Sequence, residues 1–378
     1  MKREIKKIAF VSDAVLPFNI GGKEKRLYEV STRLAKKGYE VTVYTMKWWD
    51  EKSDTYKIEG VTYKAISPLH PLYSGSVRSM KQGILFAMNC FKLLFEDFDV
   101  IDVDHMTHLN LFPVKVVCIL KGKKMIATWH EVWGKKYWIN YIGGVNGFIA
   151  YIIERVSSFL PNKIISISEH TEAQLKNVLK TNRKIVTVPA GLEVHVDKSI
   201  SAPQSDIIFA GRLLPNKNVD VLLGALSILK ESKQWIKLTV VGDGPEKDKL
   251  EKMAKDLGLE KNVEFLGFLD NQNELYARMS ESKVFAFPSS REGFGMAVIE
   301  ANACGLPVVT VDSPDNASKF LIKDGQNGLI SKLNKVDLAQ AIMKVLDNRG
   351  DRAEYVKYTE KYNWQNIVSS LENEYKTI

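Results

Sequence analysis

The sequence predicts an α/β protein with two Rossmann-like domains. Short apolar segments of strand length alternate along the chain with longer segments of helical period, which is typical of parallel sheets covered by helices. At 378 residues the chain is long for one core, so two domains are expected. A polar, irregular segment at 199–205 has the composition of a linker between the two halves.

The first half contains the elements of one parallel sheet. Strand patterns lie at 8–11, 41–44, 100–103, 124–128, 163–167 and 184–188, and helix patterns at 22–37, 83–95, 147–160 and 171–179. Gly38 ends the first helix, since glycine is favoured just after a helical segment. We assign residues 1–198 to this N-terminal domain.

The second half repeats the same alternation. Strand patterns lie at 207–210, 238–241, 263–265, 284–288 and 308–311, and helix patterns at 219–230, 247–257, 274–280 and 296–304. Gly305 and Pro307 stop the last of these helices. The second domain is predicted to span 199–363, and a final helix follows at about 364–375.

The composition is that of a soluble globular protein, with 45% apolar and 26% charged residues. Cys90, Cys118 and Cys304 lie in apolar segments without the spacing of metal ligands, which predicts reduced, buried thiols. No apolar run reaches the roughly 18–20 residues that span a bilayer. The N-terminal residues lead straight into a strand, without the pattern of a signal peptide. We therefore expect a cytoplasmic protein.

The positive charge is concentrated in the first half. Residues 1–195 contain 29 Lys and Arg against 19 Asp and Glu, a balance of +10, whereas the remainder contains 24 against 26, a balance of −2. A basic half suggests an anionic partner, such as a membrane surface, a lipid phosphate or nucleic acid. Lysines that only keep the protein soluble would explain the same balance. The basic residues are scattered and no recognised nucleic-acid motif occurs, which argues against nucleic acid.

The most informative segment is PSSREGFG at 288–295, which connects a buried strand to a helix. A glycine-rich turn at a helix start offers backbone N–H groups and a positive dipole to a phosphate. Carboxylates would repel that phosphate, but Glu292 in the turn and Glu300 on the helix suit the hydroxyls of an attached sugar or ribose. A solvated helix face is the structural alternative. Phosphate together with sugar hydroxyls describes a nucleotide sugar.

This stretch strongly resembles the nucleotide-sugar signature of the family 4 glycosyltransferases, which are retaining enzymes of the GT-B fold. The resemblance extends from residue 8 to about 365. It implies two Rossmann-like domains with parallel sheets facing a central cleft, and a C-terminal helix, about 364–378, that packs back on the first domain. It also implies that Gly293, Phe294 and Gly295 belong to the donor site.

A basic loop at 211–218 follows the first strand of the second half. Arg212 can donate two parallel hydrogen bonds to a phosphate, and Lys217 adds a compact charge, so both can stabilise a nucleoside diphosphate leaving group. A solvated surface loop is the alternative. The loop, which starts at Gly211, resembles the Gly-Arg-Leu…Lys element of the family, in which these cations make a metal unnecessary. We therefore expect no cofactor and no metal.

Two further glycine turns resemble family elements. Gly242 and Gly244 belong to a Gly-Asp-Gly-Pro turn after a strand, which lies near the nucleotide in the family. Gly21 and Gly22 precede Glu24 in a Gly-Gly-x-Glu loop at a helix start, which in the family faces the donor diphosphate and the acceptor. As bare patterns, both turns also fit ordinary strand–helix connections.

Polar residues at strand ends of the first half are candidates for the acceptor side. His130 follows a strand, and it resembles a family histidine near the reacting centre; histidine can hydrogen-bond or handle a proton at neutral pH. Ser168 matches another strand end of the family. An Asp-x-Asp-His segment at 102–105 can bind a divalent metal, but it falls where the family has a strand. His105 and His108 are candidates to line the acceptor site.

Two segments leave alternatives open. After the strand at 308–311, residues 312–317 depart from the glycines and glutamate that many family members have near the donor sugar, so the sugar is not defined. Residues 137–160 are rich in aromatic and aliphatic side chains. That pattern fits a helix facing the core, which we favour, and also an amphipathic element on a membrane surface.

The sequence thus predicts a retaining, metal-independent glycosyltransferase in which His130, Arg212, Lys217 and Glu292 serve catalysis. Its partners would be a nucleotide-sugar donor and a glycan or lipid-linked acceptor, with peripheral contact between the N-terminal domain and an anionic membrane. Closure of the two domains would assemble the site. Two alternatives are a sugar-nucleotide epimerase of the same fold and a non-catalytic nucleotide-sugar-binding protein.

Overall fold

The computed structural model describes residues 5–74, 77–197, 199–200 and 202–378. The chain divides into two compact units, the first unit comprising Met1–Gly191 with Trp364–Ile378 and the second unit Leu192–Asn363. The sequence placed the boundary at 198/199. Lys198 and Ser201, which belong to that boundary and to the predicted linker, lie outside the described residues, as does the 1–4 segment.

The first unit is an α/β layer structure. Its elements are β1 Lys7–Val11, α1 Gly22–Lys36, β2 Glu40–Met46, β3 Thr55–Ile58, β4 Val61–Ser67, β5 Tyr73–Ser74, β6 Val77–Arg78, α2 Met80–Asn89, β7 Val100–Asp104, α3 Leu111–Leu120, β8 Lys124–Trp129, α4 Gly134–Ile142, α5 Gly144–Ser157, β9 Lys163–Ser166, α6 Glu169–Asn177 and β10 Lys184–Thr187. A 3-10 helix, Cys90–Phe95, continues α2. Within the described residues, the main sheet has the order β10-β9-β8-β7-β1-β2-β4-β3.

The direction of the crossovers divides the helices between the two faces of this sheet. All neighbouring strands from β10 to β4 pair in parallel, and only β3 is antiparallel to β4. The chain moves one way along the sheet from β1 to β2, and the opposite way from β4 to β7, β8, β9 and β10. Because parallel crossovers are right-handed, α1 covers one face, and α2, α3, α5 and α6 cover the other.

The last helix of the chain, α13 (Trp364–Lys376), completes the first unit beside α1. Its Tyr375 is 1% exposed and donates a hydrogen bond from its hydroxyl to Asp102 Oδ2 at 2.7 Å. Thr128 on β8 donates to Asp102 Oδ1 at 2.8 Å. Burial raises the pKa of Asp102, and the hydroxyls of Tyr375 and Thr128 oppose that rise. The helix therefore helps to satisfy a carboxylate in the middle of the sheet.

The second unit is a smaller α/β layer structure with its own apolar core. Its elements are β11 Ser205–Ala210, α7 Val219–Ser232, β12 Leu238–Val241, α8 Lys247–Asp256, β13 Val263–Gly267, α9 Gln272–Glu281, β14 Ser282–Phe287, β15 Arg291–Glu292, α10 Met296–Ala303, β16 Val308–Val311, β17 Asp315–Asn316, β18 Gly328–Ser331, α11 Lys335–Asp347 and α12 Arg352–Lys357. Within the described residues, its main sheet is entirely parallel, in the order β13-β12-β11-β14-β16-β18.

The predicted fold class is confirmed, since both main sheets are parallel and covered by helices. Cys90, Cys118 and Cys304 are buried free thiols, as expected. No helix among the described residues combines the length and apolar character needed to cross a bilayer. Sequence patterns missed the hairpin of β3 and β4, the helices α3 and α4, and the elements β18, α11 and α12. In α3 the missing signal is understandable, because the helix is apolar on nearly every side and shows little period.

Replacing Tyr375 with phenylalanine tests the link between α13 and the sheet. Loss of the hydroxyl leaves a buried carboxylate with one donor fewer, so Tyr375→Phe should lower the free energy of unfolding by about 1–3 kcal/mol. Chemical denaturation followed by circular dichroism measures this change. Tyr39→Phe is the matched control, because the Tyr39 hydroxyl also bonds α13, at Glu372, but in a more exposed position. Equal effects of the two substitutions would contradict the burial argument.

Candidate active site

A turn between β14 and α10 lies at the carboxyl edge of the sheet of the second unit. Glu292 belongs to this turn, and Glu300 follows on α10. The backbone N–H of Ser290 donates to Asn216 O at 2.8 Å, and Ser313 Oγ donates to Ser290 O at 2.7 Å. The short strand β15 then pairs with β17. Two neighbouring loops hold this turn, and they fix the position of Glu292 in β15, just ahead of α10.

Glu292 and Lys217 form an ion pair. Lys217 ends the 3-10 turn Pro215–Lys217, and its Nζ contacts Glu292 Oε1. Each side chain is only 14% exposed. The ammonium also lies 5.0 Å from the ring centroid of Phe287 at the end of β14, a cation–π arrangement. Two segments 75 residues apart therefore bring a cation and a carboxylate together beside the start of α10.

Glu300 lies on α10, eight residues after Glu292, and is 8% exposed. Tyr276 and Gln272, both on α9, direct donors at its Oε1, from the hydroxyl at 3.2 Å and from Nε2 at 3.4 Å. A carboxylate held in this way keeps a defined orientation, and its oxygens accept hydrogen bonds. Glu300 is therefore a preoriented acceptor on the same helix that follows Glu292.

Glycines allow the loops around this edge to pack closely. Gly242 has a φ of +130°, and a Cβ there would lie 2.0 Å from the carbonyl oxygen of Gly211. Gly295 has a φ of +105°, and a Cβ there would lie 2.5 Å from Ser318 Cβ. A Cβ on Gly244 would come within 2.4 Å of Leu213 O. These glycines thus have a packing role, which keeps the loop that carries Arg212 next to the turn at 242–245.

A second polar cluster lies at the carboxyl ends of β1 and β7 in the first unit. Lys23 Nζ lies 2.6 Å from Asp104 Oδ2 and 3.1 Å from Asp13 Oδ1. Arg78 Nη2 and Gln82 Nε2 each donate to Asp13 Oδ2 at 3.2 Å. Burial favours the neutral amine, but Asp104 and Asp13 outweigh it and raise the pKa of Lys23 above its ordinary value. Lys23 is thus a largely buried cation, 13% exposed, that the two carboxylates keep charged.

His130 lies beside this cluster at the end of β8. Its backbone N–H donates to His105 Nδ1 at 3.3 Å, and its Nε2 is 3.7 Å from Asp104 Oδ1. Burial lowers the pKa of His130 to about 4, partly opposed by Asp104 and assisted by Arg26 and Lys23. His130 is therefore neutral at physiological pH, and can donate or accept a hydrogen bond.

His105 is buried completely and packs on Trp129, with ring centroids 4.8 Å apart. Burial, followed by the neighbouring His130, lowers the pKa of His105 to about 3. The side chain has no surface to offer an acceptor in this structure. Instead, its Nδ1 accepts the hydrogen bond from the backbone N–H of His130, and its ring packs on Trp129.

Asp104, His105 and His130 also form a group whose potential metal-ligand atoms all lie within 4.8 Å of one another. The Asp-x-Asp-His pattern had suggested such a site, but Asp102 is not part of this group. Lys23 is already 2.6 Å from Asp104 Oδ2. An ammonium in that position competes with a divalent cation for the only carboxylate of the group.

Comparison with known families covers nearly all of the chain. The family model of the glycosyl transferases group 1 matches residues 193–362, which correspond to the second unit. The model of glycosyltransferase family 4 matches residues 20–196, most of the first unit. The chain belongs to the group 1 glycosyltransferases of family 4. The predicted family is thereby confirmed.

Characterised relatives and solved structures agree with this assignment. The glycosyltransferase is 26% identical to the phosphatidyl-myo-inositol mannosyltransferase of Mycobacterium leprae, over 95% of this chain and 93% of that one. It superimposes on the sucrose-phosphate synthase of Thermosynechococcus elongatus with a TM-score of 0.78 at 19% identity, covering 98% of both chains. The Anabaena protein HepE, in complex with UDP and glucose, gives a TM-score of 0.75 at 16% identity and covers 99% and 100%. These neighbours support the GT-B fold.

The glycosyltransferase groups its predicted site residues within each unit. In the second unit Glu292 lies against Lys217, Glu300 follows on α10, and Arg212 is exposed on the loop after β11. In the first unit Gly21 is the N-cap residue of α1 and precedes Gly22, and Glu24 is buried. Ser168 is the N-cap residue of α6, where its Oγ accepts from Thr171 N at 3.0 Å. That cap is a structural role additional to the predicted acceptor role.

The glycosyltransferase also contains a charged cluster that sequence analysis missed, formed by Lys23, Asp13 and Arg78. The signal was present but weak: Lys23 stands inside the Gly-Gly-x-Glu loop, and Asp13 lies two residues after the end of the first strand. Polar residues after a parallel strand often lie at the functional edge of the sheet. Their pairing with Asp104, which is 81 residues from Lys23, could not be deduced from local spacing.

The lowered pKa of His130 predicts a loss of stability in mild acid. An unfolded histidine titrates near pH 6.5, and folded His130 titrates at about 4. As the pH falls through this interval the unfolded chain binds protons first, so the free energy of unfolding should decrease by up to about 1.4 kcal/mol per pH unit. Urea unfolding of His130→Asn across this interval should show a shallower dependence than the wild type.

His195→Asn is the matched control, because His195 is exposed. The control should retain the pH dependence of the wild-type protein. If His130→Asn also retains it in full, the histidine is not held neutral by the fold.

Proposed function

We propose that the protein transfers a sugar from a nucleotide-diphosphate sugar to an acceptor hydroxyl, with retention of anomeric configuration and without a metal ion. The reaction would serve the synthesis of a cell-surface glycan, glycolipid or polysaccharide. The observation that carries this proposal is the contact between Lys217 and Glu292 at the start of α10, with Glu300 on the same helix. A phosphate-binding cation, a hydroxyl acceptor and a second carboxylate then face one nucleotide sugar.

The donor diphosphate would lie on Arg212, Lys217 and the backbone N–H groups at the start of α10. Negative charge grows on the diphosphate as the glycosidic bond breaks, and fixed cations stabilise it most in the transition state. Two cations and a helix N-terminus supply charge stabilisation of the kind that a divalent metal supplies in other transferases. This is the support for a metal-independent reaction. Gly211, Gly242 and Gly244 would let the backbone approach the nucleotide.

The two glutamates would divide the hydroxyls of the donor between them. Glu292, next to the phosphate-binding cation, would accept from hydroxyls of the transferred sugar. Glu300, further along α10 and oriented by Tyr276, would accept from the ribose hydroxyls. Gly293, Phe294 and Gly295 form the turn between these two residues. Phe294 is 6% exposed and packs edge-on against Tyr362 at 5.6 Å, which anchors the turn.

The acceptor would bind to the first unit, near Gly21, Gly22, Glu24, His130 and Ser168. A neutral His130 suits hydrogen bonding to a sugar hydroxyl better than it suits service as a charged acid. Neither Glu292 nor Glu300 is proposed as a covalent nucleophile. Instead, the acceptor attacks the face that the leaving group departs from, and a phosphate oxygen of the leaving group takes the acceptor proton.

The similar proteins support the substrate classes in this proposal. One relative is named for transfer of mannose to phosphatidyl-myo-inositol, and the Anabaena neighbour was crystallised with UDP and glucose. By analogy we propose a nucleoside-diphosphate sugar as donor and a glycan or lipid-linked molecule as acceptor. Such an acceptor would bring the basic first unit to an anionic membrane.

A thermal-shift panel of nucleotide sugars and free nucleoside diphosphates tests the donor site. A matching ligand should raise the melting temperature by mass action, and EDTA should leave the shift unchanged. Arg212→Ala should abolish the shift, since it removes bidentate hydrogen bonding to the diphosphate. Lys249→Ala, which removes an exposed lysine of α8, is the control and should retain the shift. No shift with any nucleotide sugar, or a shift that requires a metal, would count against the proposal.

Substituting each glutamate separates their proposed roles. Glu300→Gln should weaken free nucleoside diphosphate and nucleotide sugar alike, by about tenfold to a hundredfold, because both contain the ribose. Glu292→Gln should weaken the nucleotide sugar while leaving the free nucleoside diphosphate bound. Isothermal titration calorimetry measures both affinities. The same loss for both ligands in Glu292→Gln would contradict the assignment of this residue to the transferred sugar.

A further inference from the structure

Helix α5 of the first unit has its polarity reversed relative to an ordinary surface helix. Its buried residues are Gly147, Ala150, Glu154 and Ser157. Apart from Arg155, its exposed large side chains are apolar, namely Val145, Phe148, Ile149, Ile152 and Val156. They recur at spacings of three and four residues, so they form one stripe along the outer side of the helix. The segment was expected to face the core, but the structure turns its apolar stripe outward.

Glu154 explains why the helix has this orientation. The side chain is buried completely, and it accepts hydrogen bonds from Trp133 N at 2.7 Å, Gly134 N at 2.9 Å and Trp138 Nε1 at 2.8 Å. Rotating the helix to bury Phe148 and Ile152 would break all three bonds. Gly147 is equally restrictive, because a Cβ there would lie 2.4 Å from Trp138 O on α4. The outward apolar stripe is therefore fixed by the packing of α4 against α5.

Two neighbouring helices expose apolar residues as well. On α2 and its 3-10 extension, Met80, Ile84, Met88, Phe91 and Phe95 are exposed, and Phe95 is 90% exposed. Helix α3 exposes Val116, Ile119 and Leu120. α2 packs against α3. Because all three helices cover the same face of the sheet, we group their exposed side chains under one name, the α2–α3–α5 face. Soluble monomers rarely expose apolar surface over three neighbouring helices.

The exposed charges of these helices have a single sign, whereas the loop after the 3-10 helix adds the exposed Asp97, which pairs with Lys7. Within 80–95, 111–124 and 134–157, the acidic residue is Glu154, which is buried. The exposed basic residues of the same segments are Lys81, Lys92, Lys124, Lys135, Lys136 and Arg155. Lys135 also lies 5.2 Å from the ring of Phe148, so basic and apolar groups are interleaved. A surface of this composition is complementary to one that is apolar inside and anionic outside.

We infer that the α2–α3–α5 face docks on the surface of an anionic lipid bilayer, with α5 lying in the interface. Its apolar stripe would enter the acyl region while its lysines contact lipid phosphates. A second copy of this chain fits less well, because two such faces would bring like charges together. The inference deepens the membrane contact proposed above, and it rests on the proposed function for the identity of the acceptor.

Sedimentation of the full-length protein with lipid vesicles tests this inference. The wild type should bind vesicles of phosphatidylglycerol mixed with phosphatidylcholine, more weakly at high salt, and bind poorly to phosphatidylcholine alone. The double substitution Phe148→Glu with Ile152→Glu should lower the partition coefficient at least about tenfold, since two inserted apolar groups are lost and two negative charges are added. Trp235→Glu is the matched control, because Trp235 is 76% exposed on the second unit. It should bind like the wild type.

The melting temperature and the nucleotide-sugar shift of each variant show whether it is folded and whether its donor site is intact. A double variant that keeps both but loses vesicle binding supports the inference. Unchanged binding of that variant, or equal binding of the wild type to neutral vesicles, overturns it. A dimer in analytical ultracentrifugation that the double variant dissociates, without vesicle binding, would assign the face to a second copy instead. Failure of the donor panel with intact vesicle binding would affect only the proposed reaction.

Discussion

A largely buried ammonium group links the strand ends at one edge of the first unit. Lys23 links Asp104, at the end of β7, to Asp13, just after β1, and does so from the first turn of α1. Replacing Lys23 would leave Asp104 without its cation inside the protein, which is far more costly than losing a surface ion pair. Asp13 would keep Arg78 and Gln82 as partners.

The second unit contains a comparable ion pair. Lys217 and Glu292 are each 14% exposed, close to the 13% of Lys23, and the Lys217 ammonium also lies over the ring of Phe287. The two cations differ in their surroundings. Lys23 contacts two carboxylates, Asp104 and Asp13, whereas Lys217 contacts Glu292 and an aromatic ring.

The sequence predicted what is determined locally. Strand, turn and helix follow each other within 284–304, so Glu292 and Glu300 could be placed on their elements from spacing alone. The pairing of Lys23 with Asp104 was not predictable, because strand order in the sheet brings these distant residues together. The predicted orientation of α5 was wrong for a related reason. Periodicity identifies an apolar stripe, but it was the hydrogen bonds of Glu154 to α4 and the segment before it that decided which side is buried.

The return of α13 to the first unit has a consequence for how the protein is made. The second unit is one continuous segment, 192–363, so its elements can pair without any residue from outside that range. The first unit is discontinuous, and the hydroxyl of Tyr375 reaches Asp102 only after the whole second unit has been synthesised. Until α13 has been synthesised, the first unit therefore lacks the helix that packs beside α1. A chain interrupted shortly before Trp364 would contain every element of the second unit, but Asp102 of the first unit would lack the Tyr375 donor.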